Sequence, residues 1–319
     1  MDGSSLRPGS AGGGPAGNGQ TSGQPAFLDG FRTLDLEAGG VRFAGVIGGE
    51  GPPLLLLHGY PETHLAWRKV AATLATRHTL VIPDLPGYGA SKTRTSRPRW
   101  TKRRVAKALV ALMRSLGFAR FSLAGHDRGA RVGYRLVLDH PGLVARFASL
   151  AVVPTLDAMQ AVDFRYASKS YHWFLLSQPA PLPETLLAAD PDLVIDRCFV
   201  TMGAESDMVI EPAVREAYRT AFRDPAVRHA MCEDYRAAID EDLVADAVDK
   251  STGRKLDCPV LVIWPRPIRP EGRPSPVETW LRWAADVTGA ETSGGHLQPE
   301  DSPEEVLAAL APFMEQARV

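Results

Sequence analysis

Short apolar runs alternate with amphipathic stretches along the first half of the chain. Residues 54–57 are four leucines, bounded by Pro52-Pro53 and His58-Gly59, the pattern of a parallel strand buried on both faces. Residues 79–82, 121–124 and 147–153 read the same way. Helical patterns lie between them, at 64–75, 100–116 and 130–139. In the second, Val105, Leu109, Leu112 and Leu116 share one face and Gly117 ends the helix. Residues 31–36 and 41–46 predict an opening hairpin around Gly39-Gly40. From Pro154 to about Asp249 the strand signal disappears. Helical segments rich in aromatics and prolines replace it, among them residues 214–222. The alternation resumes at 259–264, and the chain ends in a helix. Ser302, Pro303 and Glu305 predict a capping box for that helix. Such a pattern predicts an α/β fold, a mostly parallel sheet flanked by helices, with a helical cap inserted. The expected organisation is a core over 27–154 and 250–319, a cap over 155–249, and a Gly/Ser/Pro-rich disordered tail over 1–26.

Composition narrows the partners. The 319 residues carry a formal net charge of −1, so nothing calls for nucleic acid or an anionic membrane. The basic group Arg94, Arg97, Arg99, Lys102, Arg103 and Arg104 reads as a solvated loop and helix face. No apolar stretch nears the roughly 18 residues that span a bilayer. Cys198, Cys232 and Cys258 are scattered and odd in number, which fits reduced thiols in the cytoplasm. No metal site or nucleotide loop is visible, and no cofactor is expected.

The chemistry concentrates at Gly125-His126-Asp127-Arg128-Gly129, between a strand and a helix. A small-x-nucleophile-x-small turn in that place is the nucleophile elbow of α/β-hydrolases. Asp127 holds the position usually given to Ser or Cys. A carboxylate nucleophile attacks a saturated carbon bearing a leaving group, a carbon–halogen bond or an epoxide, and forms an ester that water must cleave. His58-Gly59-Tyr60-Pro61 follows a strand where the oxyanion loop belongs, so the Tyr60 and Arg128 backbone N–H groups are the candidate oxyanion hole. His296, in Gly294-Gly295-His296 before the last helix, is the candidate base.

These residues resemble the fluoroacetate (haloacetate) dehalogenase family. The likeness rests on residues 125–131, on His58-Gly59-Tyr60-Pro61, on Tyr171-His172-Trp173, and on residues 178–184 and 229–236 with the His296 loop. It runs from about Phe31 to Phe313. The resemblance implies a homodimer acting on small haloacids without a cofactor. Asp127 would displace halide and His296 would activate the hydrolytic water. Arg128 and Arg131 would hold the substrate carboxylate, and His172, Trp173 and Tyr218 would bind the departing halide. Physical reasoning agrees on the arginines. Two like charges about 4 Å apart repel by about 4 kcal/mol at an effective dielectric near 20, and paired guanidinium groups offset that. Epoxide hydrolases share the Asp elbow and use cap tyrosines, for which Tyr166, Tyr171 and Tyr218 are available.

One position departs from the family. The triad acid belongs on the strand leading into the cap, and Ala151 stands there. Asp157, six residues on, and Glu271, after the strand at 260–264, are the candidate replacements. Leu297-Gln298 also differs from the family's loop. The expectation is a competent first half-reaction and an impaired second one, or a degenerate member that binds small carboxylates without turning them over.

Overall fold

The computed structural model describes residues 1, 27–204, 208–266 and 274–316. The expected tail, apart from residue 1 and up to residue 26, lies outside the described residues, as does Glu271. In chain order the strands are β1 (Arg32–Ala38), β2 (Val41–Gly48), β3 (Pro53–Leu57), β4 (Thr79–Pro83), β5 (Lys92–Thr93), β6 (Phe121–His126), β7 (Val144–Leu150), β8 (Val260–Pro265) and β9 (Val287–Thr292). They form one sheet in the order β1-β2-β4-β3-β6-β7-β8-β9, with β5 paired to β2. From β4 to β9 every pairing is parallel, while β1, β2 and β5 join antiparallel. β9 escaped the sequence reading because its residues, Val-Thr-Gly-Ala-Glu-Thr, form a largely solvated edge without an apolar run.

Alternation along the strands divides the core. Leu54 and Leu56 of β3 point to one side of the sheet with Leu80, Ile82, Ala124, Leu261 and Ile263. That side is covered by α1 (Arg68–Leu74), through Val70 and Leu74, and by the last helix, through Val306, Leu310 and Phe313. Leu55 and Leu57 point to the other side with Val81, Leu123, Phe147 and Val262. There α2 (Lys102–Ser115) and α3 (Arg128–Asp139) supply Leu109, Leu112, Leu136 and Val137. Each leucine of the run is therefore buried, on alternate faces, as the period of a strand requires.

Between β7 and β8 the described chain is helical. It runs through α4 (Thr155–Gln160), α5 (Phe164–Lys169), α6 (Tyr171–Leu176), α7 (Leu182–Ala189), α8 (Pro191–Thr201), α9 (Pro212–Arg223) and α10 (Pro225–Ala237). A π-type turn over Ala238–Asp242 leads into α11 (Leu243–Ser251). After β8 come α12 (Pro276–Trp280), α13 (Gln298–Asp301) and α14 (Pro303–Glu315). The expected capping box on α14 does not form, although Pro303 begins the helix. The Ser302 hydroxyl instead accepts from the Gly294 N–H at 3.0 Å, and Glu305 accepts from the Ser293 N–H and hydroxyl. Residues patterned as a helix cap thus brace the loop that carries His296. Among the described residues no helix is long and apolar enough to cross a membrane.

Candidate active site

Asp127 sits at φ 44°, ψ −109°, between the end of β6 and the first turn of α3. A non-glycine residue in that region carries strain that the surroundings must hold. Two close approaches hold it. A Cβ on Gly129 would lie 2.4 Å from the Leu57 carbonyl oxygen, and one on Gly125 would lie 2.5 Å from the Ala130 nitrogen. Only glycine lets α3 start this close to the sheet. The Asp127 N–H donates to Leu150 O at 3.2 Å, which ties the elbow to the end of β7.

The Tyr60 N–H donates to Asp127 Oδ2 at 3.1 Å, and His296 Nε2 lies 4.0 Å from Oδ1. One carboxylate oxygen is therefore held by the loop after β3 while the other faces the histidine. Burial would raise the Asp127 pKa. His296, Arg131, Arg128 and His126 outweigh it and hold the carboxyl down to about 2. The His296 pKa is lowered, by burial first and by the neighbouring His126, against the pull of Asp127. At neutral pH the pair is a carboxylate beside a neutral imidazole.

Both arginines are buried against the nucleophile. Arg128 donates from Nε to Asp234 Oδ2 at 2.6 Å and from Nη2 to Asp234 O at 3.0 Å, leaving the buried Nη1 without a partner. Arg131 donates from Nη1 to Thr155 Oγ1 and Val153 O, leaving its buried Nε without one. Each guanidinium thus keeps an uncommitted N–H beside an anion. Asp234, on α10, also accepts from the Tyr88 hydroxyl and the buried Lys102 ammonium. It anchors Arg128 from the cap, a role the sequence reading did not assign, although Asp234 lies within the family-like segment 229–236.

The three residues of the halide-binding expectation do not come together. His172 and Trp173 of α6 meet Tyr235 of α10, with ring centroids 5.8 Å and 5.0 Å away, both edge-on. His172 also stacks on Tyr60, and Arg128 lies over the rings of Trp173 and Tyr235. The Tyr235 hydroxyl is buried and has no partner. Burial takes the His172 pKa down to about 4, so its ring is neutral. Tyr218 is elsewhere. Its hydroxyl donates to Glu300 Oε1 at 2.7 Å, and Arg68 binds the other oxygen of that carboxylate. Both tyrosines lie on buried faces of cap helices, so helical spacing alone did not separate them. The fold does, because Asp234 of α10 reaches Arg128 at the elbow while Tyr218 of α9 reaches Glu300 on α13.

Of the two candidate replacement acids, Glu271 lies outside the described residues and Asp157 does not meet His296. Both oxygens of Asp157 are committed, to the Lys250 ammonium at 2.8 Å and the Trp283 indole N–H at 2.7 Å. Among the described residues no carboxylate hydrogen-bonds the His296 imidazole. Ala151 itself has φ 68°, a left-handed conformation that disfavours alanine and that Asp and Asn tolerate better. Its N–H donates to Ile263 O at 2.9 Å, so the end of β7 is pinned in that shape. Among the described residues no group of three or more His, Cys, Asp or Glu could hold a metal ion.

A strand-to-helix elbow, an oxyanion loop and a late histidine on a parallel sheet define a hydrolase of the α/β type. The chain belongs to the alpha/beta hydrolase fold family, whose model matches residues 52–266. Within it, the chain falls with haloacetate dehalogenase-like proteins. A fluoroacetate dehalogenase from Burkholderia sp is 38% identical over 92% of this chain and 96% of its own length. A soluble epoxide hydrolase from Corynebacterium sp. (strain C12) is 28% identical over 88% of this chain and 96% of its own. Among solved structures, a Pseudomonas aeruginosa protein provisionally named an epoxide hydrolase is 49% identical, with a TM-score of 0.87, covering 90% of this chain and 96% of that one. A threonine-to-aspartate variant of that protein, with bound MFA, matches equally well.

Proposed function

We propose that this protein is a dehalogenase of small 2-haloacids whose ester intermediate is cleaved slowly. The observation that carries the reading is the arginine pair. Two buried guanidinium groups, each with an unpartnered N–H, flank an ionised nucleophile. A neutral epoxide gives those cations no counter-charge, whereas a substrate carboxylate satisfies both.

Asp127 Oδ1 attacks the halogen-bearing carbon, and the carbon–halogen bond breaks as the ester forms. The halide leaves toward His172, Trp173 and Tyr235, which supply an imidazole N–H, an indole N–H and a phenol O–H. His296 then takes a proton from water, and the hydroxide adds to the Asp127 carboxyl carbon. The Tyr60 N–H stabilises the oxyanion on Oδ2. Collapse expels the hydroxyacid oxygen, which receives the proton from His296. The sum is haloacid plus water giving hydroxyacid, halide and a proton. Among the described residues no carboxylate hydrogen-bonds the imidazole to support its protonated form in the second step, so that step limits turnover.

Intact-protein mass spectrometry with fluoroacetate and chloroacetate, read beside halide release, tests this. About one halide per chain should appear in a burst, with a carboxymethyl ester on Asp127, followed by a slow steady rate. Absence of both halide and ester, with turnover of a neutral epoxide, would establish the epoxide hydrolase reading instead.

The two tyrosines should separate in the same assay. Tyr235→Phe removes a donor from the departing halide and should slow ester formation about 10–100-fold. Tyr218→Phe strips a donor from a buried carboxylate and should cost about 1–3 kcal/mol of stability, with ester formation nearly unchanged. Rapid-quench halide release and thermal melts of both variants check this. The reverse pattern would return Tyr218 to the halide pocket.

A further inference from the structure

His126 precedes the nucleophile and is fully buried, in a network the mechanism above does not use. Its Nδ1 lies 2.9 Å from Glu62 Oε2, and its Nε2 lies 2.8 Å from the backbone oxygen of His296. Both partners are acceptors. A neutral imidazole has only one N–H, so satisfying both requires the doubly protonated ring. Glu62 belongs to the loop after β3, and its Oε2 also accepts from the Gly59 N–H at 3.1 Å.

We propose that His126, kept as an imidazolium by Glu62, is the positioning residue of this site: it fixes the His296 loop by that residue's own carbonyl and holds neutral the His296 ring, which no carboxylate among the described residues hydrogen-bonds. The proposal rests on His296 being the base of the reading above.

Charges facing the two rings come from several elements. His126 faces Glu62, Asp127 and, on α13, Asp301. Burial lowers its pKa, but Glu62 and Asp127 prevail and raise it to about 9. His296 faces Asp127, His126, Glu62, Arg131 and, from α6, His172. The His126 and His296 ring centroids are 5.2 Å apart. A fixed positive charge that close opposes a second one on His296, and it acts more strongly than Glu62 behind it. While Asp127 is ionised, it offsets that effect. Once Asp127 is esterified its charge is gone and the His126 charge remains. The base is therefore neutral at the stage when it must accept a proton.

Histidine-ring NMR titration of the full chain, native and with Glu62→Gln, tests this without needing turnover. In the native protein His126 should be doubly protonated at pH 7.5. The side-chain amide introduced by Glu62→Gln can donate to Nδ1 and keep the bond to the His296 carbonyl with a neutral ring, so the variant separates charge from shape. In it, the His296 pKa should rise, by the margin through which the His126 charge outweighs that of Glu62. The acidic limb of ester hydrolysis should move up by the same amount, and Glu62→Asp, which retains the charge, should restore both. A neutral His126 at pH 7.5 in the native protein overturns the proposal even if the variant does not fold. So does an unmoved His296 pKa in Glu62→Gln. Failure of the native protein to form an ester on Asp127 would sink the dehalogenase reading instead, and the ring titrations would still decide the charge of His126.

Discussion

Asp127→Asn is expected to lower halide release from haloacetates by about 10⁴-fold or more and to abolish the protein-bound ester. The amide oxygen is a far poorer nucleophile than the carboxylate, and the other groups of the site act on charge that this attack creates. The variant should fold, because asparagine tolerates a positive φ nearly as well as aspartate does. It should nonetheless be less stable at neutral pH. The folded Asp127 carboxyl is held at about 2 against an ordinary 3.8, mainly by His296, Arg131 and Arg128 acting against burial. A carboxyl depressed by that much contributes about 2 kcal/mol of stability above pH 4, and the contribution is lost as pH falls through 2. Native and variant melting curves should therefore differ at pH 7 and converge as the medium approaches pH 2. Retained halide release in the variant would remove Asp127 from the chemistry.

Ala151→Asp is the second large effect, and it is a gain. Cleavage of the ester should accelerate by about 10²–10⁴-fold, and the burst should give way to linear release. That range is scaled from the loss seen when the buried acid of a serine-protease triad is neutralised. Local structure favours the change. Residue 151 already holds φ 68°, where alanine is strained by about 1–2 kcal/mol and aspartate is better tolerated. Its N–H bond to Ile263 O fixes the backbone, and its side borders an open cleft with Tyr166, Asp157 and Trp264. The neighbouring residue, Leu150, accepts from the Asp127 N–H, so a carboxylate here lies beside the nucleophile strand. It would favour the imidazolium form of His296 and raise its pKa. Single-turnover and steady-state rates, with melting temperature as a control, measure the gain. An unchanged slow phase would mean that position 151 does not limit the second step.

Much of this was legible in the sequence, because strong patterns have one physical solution. Four consecutive leucines at 54–57 can be buried only by covering both faces of a strand, and they are. The elbow could be read from Gly125 and Gly129, whose absent side chains the close helix–strand contact demands. What escaped depended on partners distant in the chain. Ser302 and Glu305 satisfy a capping pattern, yet Gly294 and Ser293 compete for the same oxygens. Tyr218 and Tyr235 are alike as buried cap tyrosines, and only the packing of α9 and α10 assigns one to Glu300 and the other to His172 and Trp173. Asp234 looked like one acid among many until Arg128, Tyr88 and Lys102 converged on it.

Glu300 has a mechanical meaning beyond its hydrogen bonds. It sits on α13, which begins two residues after His296, and it takes Tyr218 from α9 and Arg68 from α1. The Lys69 ammonium also reaches both the Glu300 carbonyl and Val209 O, near the start of α9. Lifting α9 from the core must break these bonds, the buried Tyr218–Glu300 one costing about 1–3 kcal/mol. The same displacement drags on α13 and unseats the histidine. The seating of the histidine is thus coupled to the seating of a cap helix.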